Sequence, residues 1–492
     1  MSQFFKHIVL GLLATLLIVS SVVMLELSRA GLEITDLQVG QTPVTLYALP
    51  GQTGPVVVVA HGFAGSRQIM QGYSLPLAQA GYRVLAFDFQ GHGRNALPMS
   101  GDVTAIDGTT RLLVAETRQV IAAARALPGA PSVALLGHSM ATDIIVRASV
   151  EEAKAGTPVA AVVAISMFSQ AVSATSPKHL LVITGQWESA LRQAGLEAVR
   201  LVDPAADEGD LVIKGDVTRK ALVAPWVEHV GVLFSPVGVD AAQTWLDDTF
   251  GRDAPATAGH RGWWILALLA GIVLGFYPLV AALPKGPAAP VLSTARFLAV
   301  AILPAVVTPL ILTPFYHNFL PVLVADYLML HLALMGVLQL ALMGGGWRRG
   351  RFAVSALALA VWGVLVFGLA LDRYAASFWP TLARLPIIAA LCLGTVPAML
   401  ADAYVTQAGR AALWRRVLAR VSLFASLGAA ALMDLDQLMF VLIVLPVFVL
   451  FFLVHGVMGR WVAKCCGPDA AGLGLGLCLA WALGVSFPMF AP

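Results

Sequence analysis

The pentapeptide Gly137-His138-Ser139-Met140-Ala141 sets a serine between small residues two positions before and two positions after it. Ser132 to Leu136 reads as a buried strand running into it, and a helical pattern leaves it at once toward Arg147. A strand, a sharp turn and a helix hold a hydroxyl clear of a sheet and aim the following N–H, that of Met140, at a substrate oxygen. The G-x-S-x-G pattern is met with Ala141 in its last place. The same five residues also fit an ordinary turn serine, so the chemistry depends on partners. A serine hydroxyl is a poor nucleophile near neutral pH and needs a histidine to take its proton and a carboxylate to orient that histidine.

The surrounding elements show how such partners could be positioned. Leu32 to Val39 and Val44 to Leu49 alternate like a hairpin, and Val56 to Ala60 is a wholly apolar strand ending at His61-Gly62-Phe63. A helix from about Gln68 to Ala80 leads to the strand Tyr82 to Phe87 and to Asp88-Phe89-Gln90-Gly91-His92-Gly93. The spacing then predicts a helix over Arg111 to Leu127, strands Val159 to Ile165, His179 to Thr184 and Ala221 to Pro225, and a closing helix around Ala241 to Phe250. Strand and helix in alternation imply an α/β fold: a doubly wound, mostly parallel sheet covered on both faces, with its ligand site at the carboxyl ends of the strands.

The succession HGFAG, DFQGHGR and GHSMA resembles the α/β-hydrolase superfamily, and is similar to its serine aminopeptidase-like and dienelactone hydrolase-like esterase branches. The resemblance covers roughly Gly31 to Gly251. It implies that acid and then histidine follow the serine in the chain. The strand ending at Gly185 is followed by Glu188, where the family usually carries its carboxylate, commonly an aspartate; Asp203, Asp207 and Asp210 are the alternatives. His229, just past the last strand and alone between His179 and His260, stands at the family's catalytic position. By the same resemblance the oxyanion donors are the backbone N–H groups of Phe63 and Met140. His92, His138 and Asp88 read as structural. The sequence contains no metal-ligand cluster or phosphate-cradling glycine loop, so no cofactor and no metal are expected. Only about a dozen residues, Ser166 to Lys178, separate the strand at Ile165 from the next, too few for the lid that many relatives insert. The expectation is that the rest of the protein, or the bilayer surface, covers Ser139.

The rest of the protein is apolar. Of its 492 residues 58% are hydrophobic and 12% charged, far from a soluble average. Gly31 to His260 carries 15 basic and 21 acidic side chains, the remainder 16 and 7, so the net charge of +3 averages two unlike regions and gives no sign of nucleic-acid binding. Ile8 to Leu25 is long enough to cross a bilayer and reads as an uncleaved anchor, with a cleaved signal as the alternative. Eight further spans are expected: Trp263 to Leu283, Phe297 to Leu312, Val322 to Met343, Phe352 to Leu371, Leu385 to Leu400, Val417 to Met433, Leu438 to Met458 and Ala470 to Phe490. The predicted organisation is therefore an anchor over residues 1–30, an α/β-hydrolase domain over 31–255 and an all-α polytopic transmembrane domain over 263–492.

Alternate loops hold Lys6; Lys285 and Arg296; Arg348, Arg349 and Arg351; Arg410, Arg415, Arg416 and Arg420; then Arg460 and Lys464. The intervening loops hold only Arg373 and Arg384. Cytoplasmic loops retain lysine and arginine, which puts the N-terminus in the cytoplasm and the hydrolase domain outside, in the periplasm if the membrane is a bacterial inner membrane. Asp326, Tyr327 and His331 are polar groups within one span, with His317 and Asn318 before it near the outer surface and His455 near an inner end; they fit either a headgroup site or hydrogen-bonded helix packing. The expected activity is hydrolysis of an ester, thioester or amide, with a small or lipid-like ester as substrate and the bilayer as partner. The alternative is a transport or assembly protein whose hydrolase-like domain binds without cleaving.

Overall fold

The computed structural model describes residues 3–102, 106–129, 132–344 and 352–491. Arg348, Arg349 and Arg351, used above for loop charge, lie outside the described residues.

Helix α1 (Gln3–Leu27) precedes a nine-stranded sheet. Its strands are β1 (Glu33–Val39), β2 (Thr42–Ala48), β3 (Val56–Ala60), β4 (Arg83–Phe87), β5 (Val133–His138), β6 (Val162–Ile165), β7 (His179–Gly185), β8 (Val212–Lys214) and β9 (Val217–Ala224). The order across the sheet is β1-β2-β4-β3-β5-β6-β7-β9-β8, parallel from β4 to β9 and antiparallel at both edges. The interleaved helices are α2 (Gln71–Gln79), α3 (Arg111–Arg125), α4 (Met140–Lys154), α5 (Ser189–Arg200) and α6 (Pro236–Phe250). Val56, Val58 and Ala60 enter one core layer while Val57 and Val59 enter the other, which is why β3 reads as an unbroken apolar run. Because β3 and β5 are neighbours, with Ala60 paired to Gly137, the loops that leave them meet at the carboxyl edge of the sheet.

Two elements depart from the sequence expectation. The last strand begins at Val217, four residues before Ala221, and forms a hairpin with β8, which the pattern reading missed. Arg219 disguised it: this fully buried residue donates to the carbonyls of Ala198, at 2.6 Å, and Ser173. The closing helix starts at Pro236, not Ala241, because Ser235 accepts a hydrogen bond from the Gly238 N–H and Pro236 takes the first helical position.

The helical region comprises α7 (Arg261–Val280), α8 (Thr294–Leu312), α9 (Ala325–Met343), α10 (Ala353–Val361), α11 (Phe367–Tyr374), α12 (Leu385–Val405), α13 (Leu413–Met433), α14 (Leu435–Cys466) and α15 (Pro468–Ser486). A π-helical turn, Trp362–Val366, joins α10 and α11 into one span. Counting α1, nine helices among the described residues are long and apolar enough to cross a membrane. Their closest approaches use glycine. A Cβ on Gly472 or Gly476 of α15 would stand 2.6 Å from the α12 backbone, and one on Gly271 of α7 would stand 2.9 Å from Ile18 of α1. Asp326, buried at the start of α9, accepts from the Tyr316 hydroxyl at 2.6 Å and from the N–H groups of Phe319, Leu320 and Tyr327. His331 is bonded to Ser426 at 3.0 Å. Of the two readings of these groups, hydrogen-bonded packing describes both.

Buried polar contacts tie the helices to the sheet. Arg384 donates to the carbonyls of Gly91, Gly484 and Phe487. Gln71 of α2 accepts from Arg29 and Arg261 and donates to the carbonyl of Arg373. The segment Met489 to Ala491 pairs with the loop after β4: the Met489 N–H donates to Gly91, Met99 N–H to Met489, and Ala491 N–H to Met99.

Candidate active site

Ser139 occupies the turn between β5 and α4 with φ 55° and ψ −119°, a conformation that costs a non-glycine residue about 1–3 kcal/mol and marks a position held by its surroundings. Its N–H donates to Ile165 at 2.9 Å, and its carbonyl accepts from Thr142 Oγ1 at 2.7 Å. Met140 is the first residue of α4, so its N–H belongs to the group that helix geometry leaves without an intrahelical acceptor.

The structure brings Ser139, His229 and Glu188 together. Ser139 Oγ and His229 Nε2 are 2.8 Å apart, and His229 Nδ1 and Glu188 Oε1 are 2.5 Å apart. Glu188 follows β7 and His229 follows β9, neighbouring parallel strands whose ends share one edge of the sheet. Glu188 is further held by the Gly185 N–H at 2.6 Å and the Ser166 hydroxyl at 2.8 Å, both on Oε2. Burial works against its charge, but the bonds from His229, Gly185 and Ser166 together keep the carboxyl below its ordinary pKa. Asp203, Asp207 and Asp210 are engaged elsewhere. Asp203 accepts from the Ala205 N–H, Asp210 from the Asp207 N–H, and Asp207 pairs with Arg200.

Two further groups support this arrangement: Ser166, which the sequence pattern leaves unassigned, and His138, which it reads as structural. Ser166, at φ 53° just past β6, turns its hydroxyl onto Glu188; the only sequence sign was its place after the strand. His138 donates from Nε2 to the carbonyl of His229 at 2.8 Å, and burial depresses its pKa to about 3, so the ring is neutral and steadies the His229 backbone. His61 links the loop carrying Phe63 to the next one. Its Nδ1 donates to the Gly62 carbonyl at 2.8 Å, and its Nε2 accepts from the Phe89 N–H at 3.1 Å. Under that second loop Asp88 takes the Arg67 guanidinium at 2.7 Å, while Glu116 accepts from Thr42, Asn95 and the Gln90 N–H. Burial raises the Glu116 pKa to about 7 despite those three bonds. Among the described residues no group of three His, Cys, Asp or Glu side chains is gathered as a metal ion would require.

Above Ser139 lies a cleft of about 550 Å³ lined by residues including Ile106, Thr110, Met140, Arg147, Phe168 and Gln170. These walls come from the segment before α3, from α4 and from the segment after β6, so segments of the sheet domain itself flank the serine. The helical region approaches beside the cleft, where the rings of Phe63 and Phe440 lie 5.3 Å apart.

A mostly parallel sheet in this strand order, with a serine on a strained turn after the central strands, is the architecture of the α/β-hydrolase fold. Residues 51–198 match the family model described as serine aminopeptidase, S33. Among solved structures, dienelactone hydrolase from Anabaena variabilis is 19% identical, with a TM-score of 0.32 over 44% of this chain and 97% of its own. A hormone-sensitive lipase from a metagenome library is 16% identical, with a TM-score of 0.33 over 51% and 99%. A bacterial membrane phospholipase A is 16% identical, with a TM-score of 0.32 over 48% and 92%.

Proposed function

We propose that the protein is a membrane-embedded serine hydrolase that cleaves an ester or thioester, with a lipid or other hydrophobic ester as the preferred class. The reading is carried by one observation, the continuous relay from Ser139 Oγ through His229 to Glu188 at 2.8 and 2.5 Å. In the reaction Ser139 Oγ attacks the carbonyl carbon while its proton passes to His229 Nε2. The tetrahedral oxyanion is met by the N–H groups of Phe63 and Met140. Collapse expels the alcohol or thiol, which takes the proton from His229, and leaves an acyl group on Ser139. Water then attacks the acyl carbon, giving a proton to His229 that returns to Ser139 Oγ as the acid departs. Glu188, ionised throughout, keeps Nδ1 protonated and stabilises the imidazolium that forms in each half-reaction.

Location supports the substrate class: among the described residues the hydrolase fold is joined to nine membrane-length helices. The excess of basic residues on alternate loops supports the outward orientation. Labelling with a fluorophosphonate in membranes tests the central claim. Wild type should label, Ser139→Ala should not, and hydrolysis should fall by about 10⁴-fold or more. Equal labelling of the two would overturn the reading in favour of a domain that binds without cleaving.

A further inference from the structure

A second and larger cavity, of about 1110 Å³, lies between the loop carrying His229 and the helices α7, α13 and α14. Its volume exceeds the range of about 300–1,000 Å³ usual for small-molecule sites. Apart from Glu228 and Ser235 its lining is apolar or glycine, and Glu228 spends its carboxylate on the N–H groups of Val230 and Gly231. A single segment, Val227 to Gly231, divides this chamber from the cleft over Ser139: His229 lines the cleft, while Glu228 and Val230 on either side of it line the chamber.

The level of the chamber follows from helix register. Cys465 Sγ of α14 lies 3.4 Å from the carbonyl of Val280 in α7. Counting fifteen residues back along each brings Ile265 level with Leu450, and both line the chamber. The chamber therefore sits where α7 begins. The part of α14 before Pro446, about 16 Å long at 1.5 Å per residue, rises past that level to bring Phe440 against Phe63. Two indoles mark the same height. Trp263 is 71% exposed and Trp226 is 75% exposed. Trp226 is also held at φ 61°, a conformation that costs a bulky residue about 1–2 kcal/mol and here gains no burial within the protein. Exposed indoles at the end of a span suit the boundary between headgroups and acyl chains.

We propose that this chamber seats an acyl chain of a bilayer lipid, so that the hydrolase draws a long-chain ester from the membrane side of the His229 loop. The proposal rests on the hydrolase reading above and narrows its substrate to acyl lipids. Apolar walls shared by the catalytic loop and three membrane-length helices match a hydrocarbon chain arriving from the bilayer and no polar ligand.

The test uses the full chain in phosphatidylcholine vesicles that contain a phosphatidylcholine bearing a diazirine on its palmitoyl chain. Photolysis should place cross-links within residues 225–237; cross-links confined to other segments would overturn the proposal. In parallel, kcat/KM is measured for p-nitrophenyl palmitate and p-nitrophenyl acetate. Leu450→Trp and Leu266→Trp, which fill the chamber, should each lower the palmitate-to-acetate ratio at least about fivefold, the loss of seating for a few methylenes. A smaller change in both would overturn it. Taking a ratio removes any general loss of folded enzyme. Should wild type turn over neither ester and leave Ser139 unlabelled by a fluorophosphonate, the hydrolase reading falls and the cross-links alone decide whether the chamber holds lipid.

Discussion

Glu188 shows how one carboxylate can dictate the state of a ring that it touches through a single atom. Its Oε2 is committed to two donors, the Gly185 N–H and the Ser166 hydroxyl, so only Oε1 is left to face His229. In Glu188→Gln the remaining carbonyl oxygen keeps the two donors, and the amide NH2 turns to Nδ1. That forces the proton of a neutral His229 onto Nε2, where it can no longer accept from Ser139. The expected loss in kcat is roughly 10³–10⁴-fold, measured with any ester that wild type cleaves. The same bonds set a pH dependence. Because the Glu188 pKa is depressed in the folded state, its contribution to stability is complete above the unfolded value, about 4.3, and is lost as pH falls through the folded one. The gap in stability between wild type and Glu188→Gln, followed by thermal unfolding in detergent, should therefore narrow below about pH 4.3.

At the scale of elements, the fit between the turn after β3 and the turn after β5 explains why Gly62 stands between them. A Cβ there would lie 2.9 Å from His138 Nδ1, 3.0 Å from Ser139 Cβ and 3.1 Å from the His138 carbonyl, and the backbone cannot give way. Gly62→Ala should shift the N–H of Phe63, the proposed oxyanion donor, and cost about 10²–10³-fold in kcat, with a much smaller change in thermal midpoint. Such turns were legible in the sequence because each couples a wholly apolar strand to glycine or to a small-residue pair. Ser139, His229 and Glu188 could be named because each follows a strand that was recognisable. What escaped the reading were elements whose burial is polar. Arg219 inside β9 breaks the apolar pattern, although every bond that it makes is internal. The start of α6 is a local signal of another kind, the Ser235 cap followed by Pro236. Ser166 carries no local signal toward Glu188, because only the fold sets the end of β6 beside the end of β7.

For the molecule as a whole, orientation and the coupling of sheet to helices are the properties open to measurement. A cysteine placed at Asp207, on the exposed loop after α5, should react with a membrane-impermeant maleimide in intact cells, whereas one at Lys464 should react only after lysis. The reverse pattern would invert the proposed topology. Coupling runs through Arg384, whose buried guanidinium serves three carbonyls drawn from the loop after β4 and from the end of α15. Arg384→Met would strand those carbonyls. It should destabilise the protein by about 3 kcal/mol and open the loop around Gly91 to proteolysis, which a mass-spectrometric digest would detect.

The pairing of Met489 to Ala491 with Gly91 and Met99 sets an order of events during biosynthesis. The loop after β4 is translated early, yet it finds these hydrogen-bond partners only after α15 has been made. A nascent chain stalled before α15 therefore carries this loop without those partners. Completion of this loop thus waits on synthesis of the last described helix.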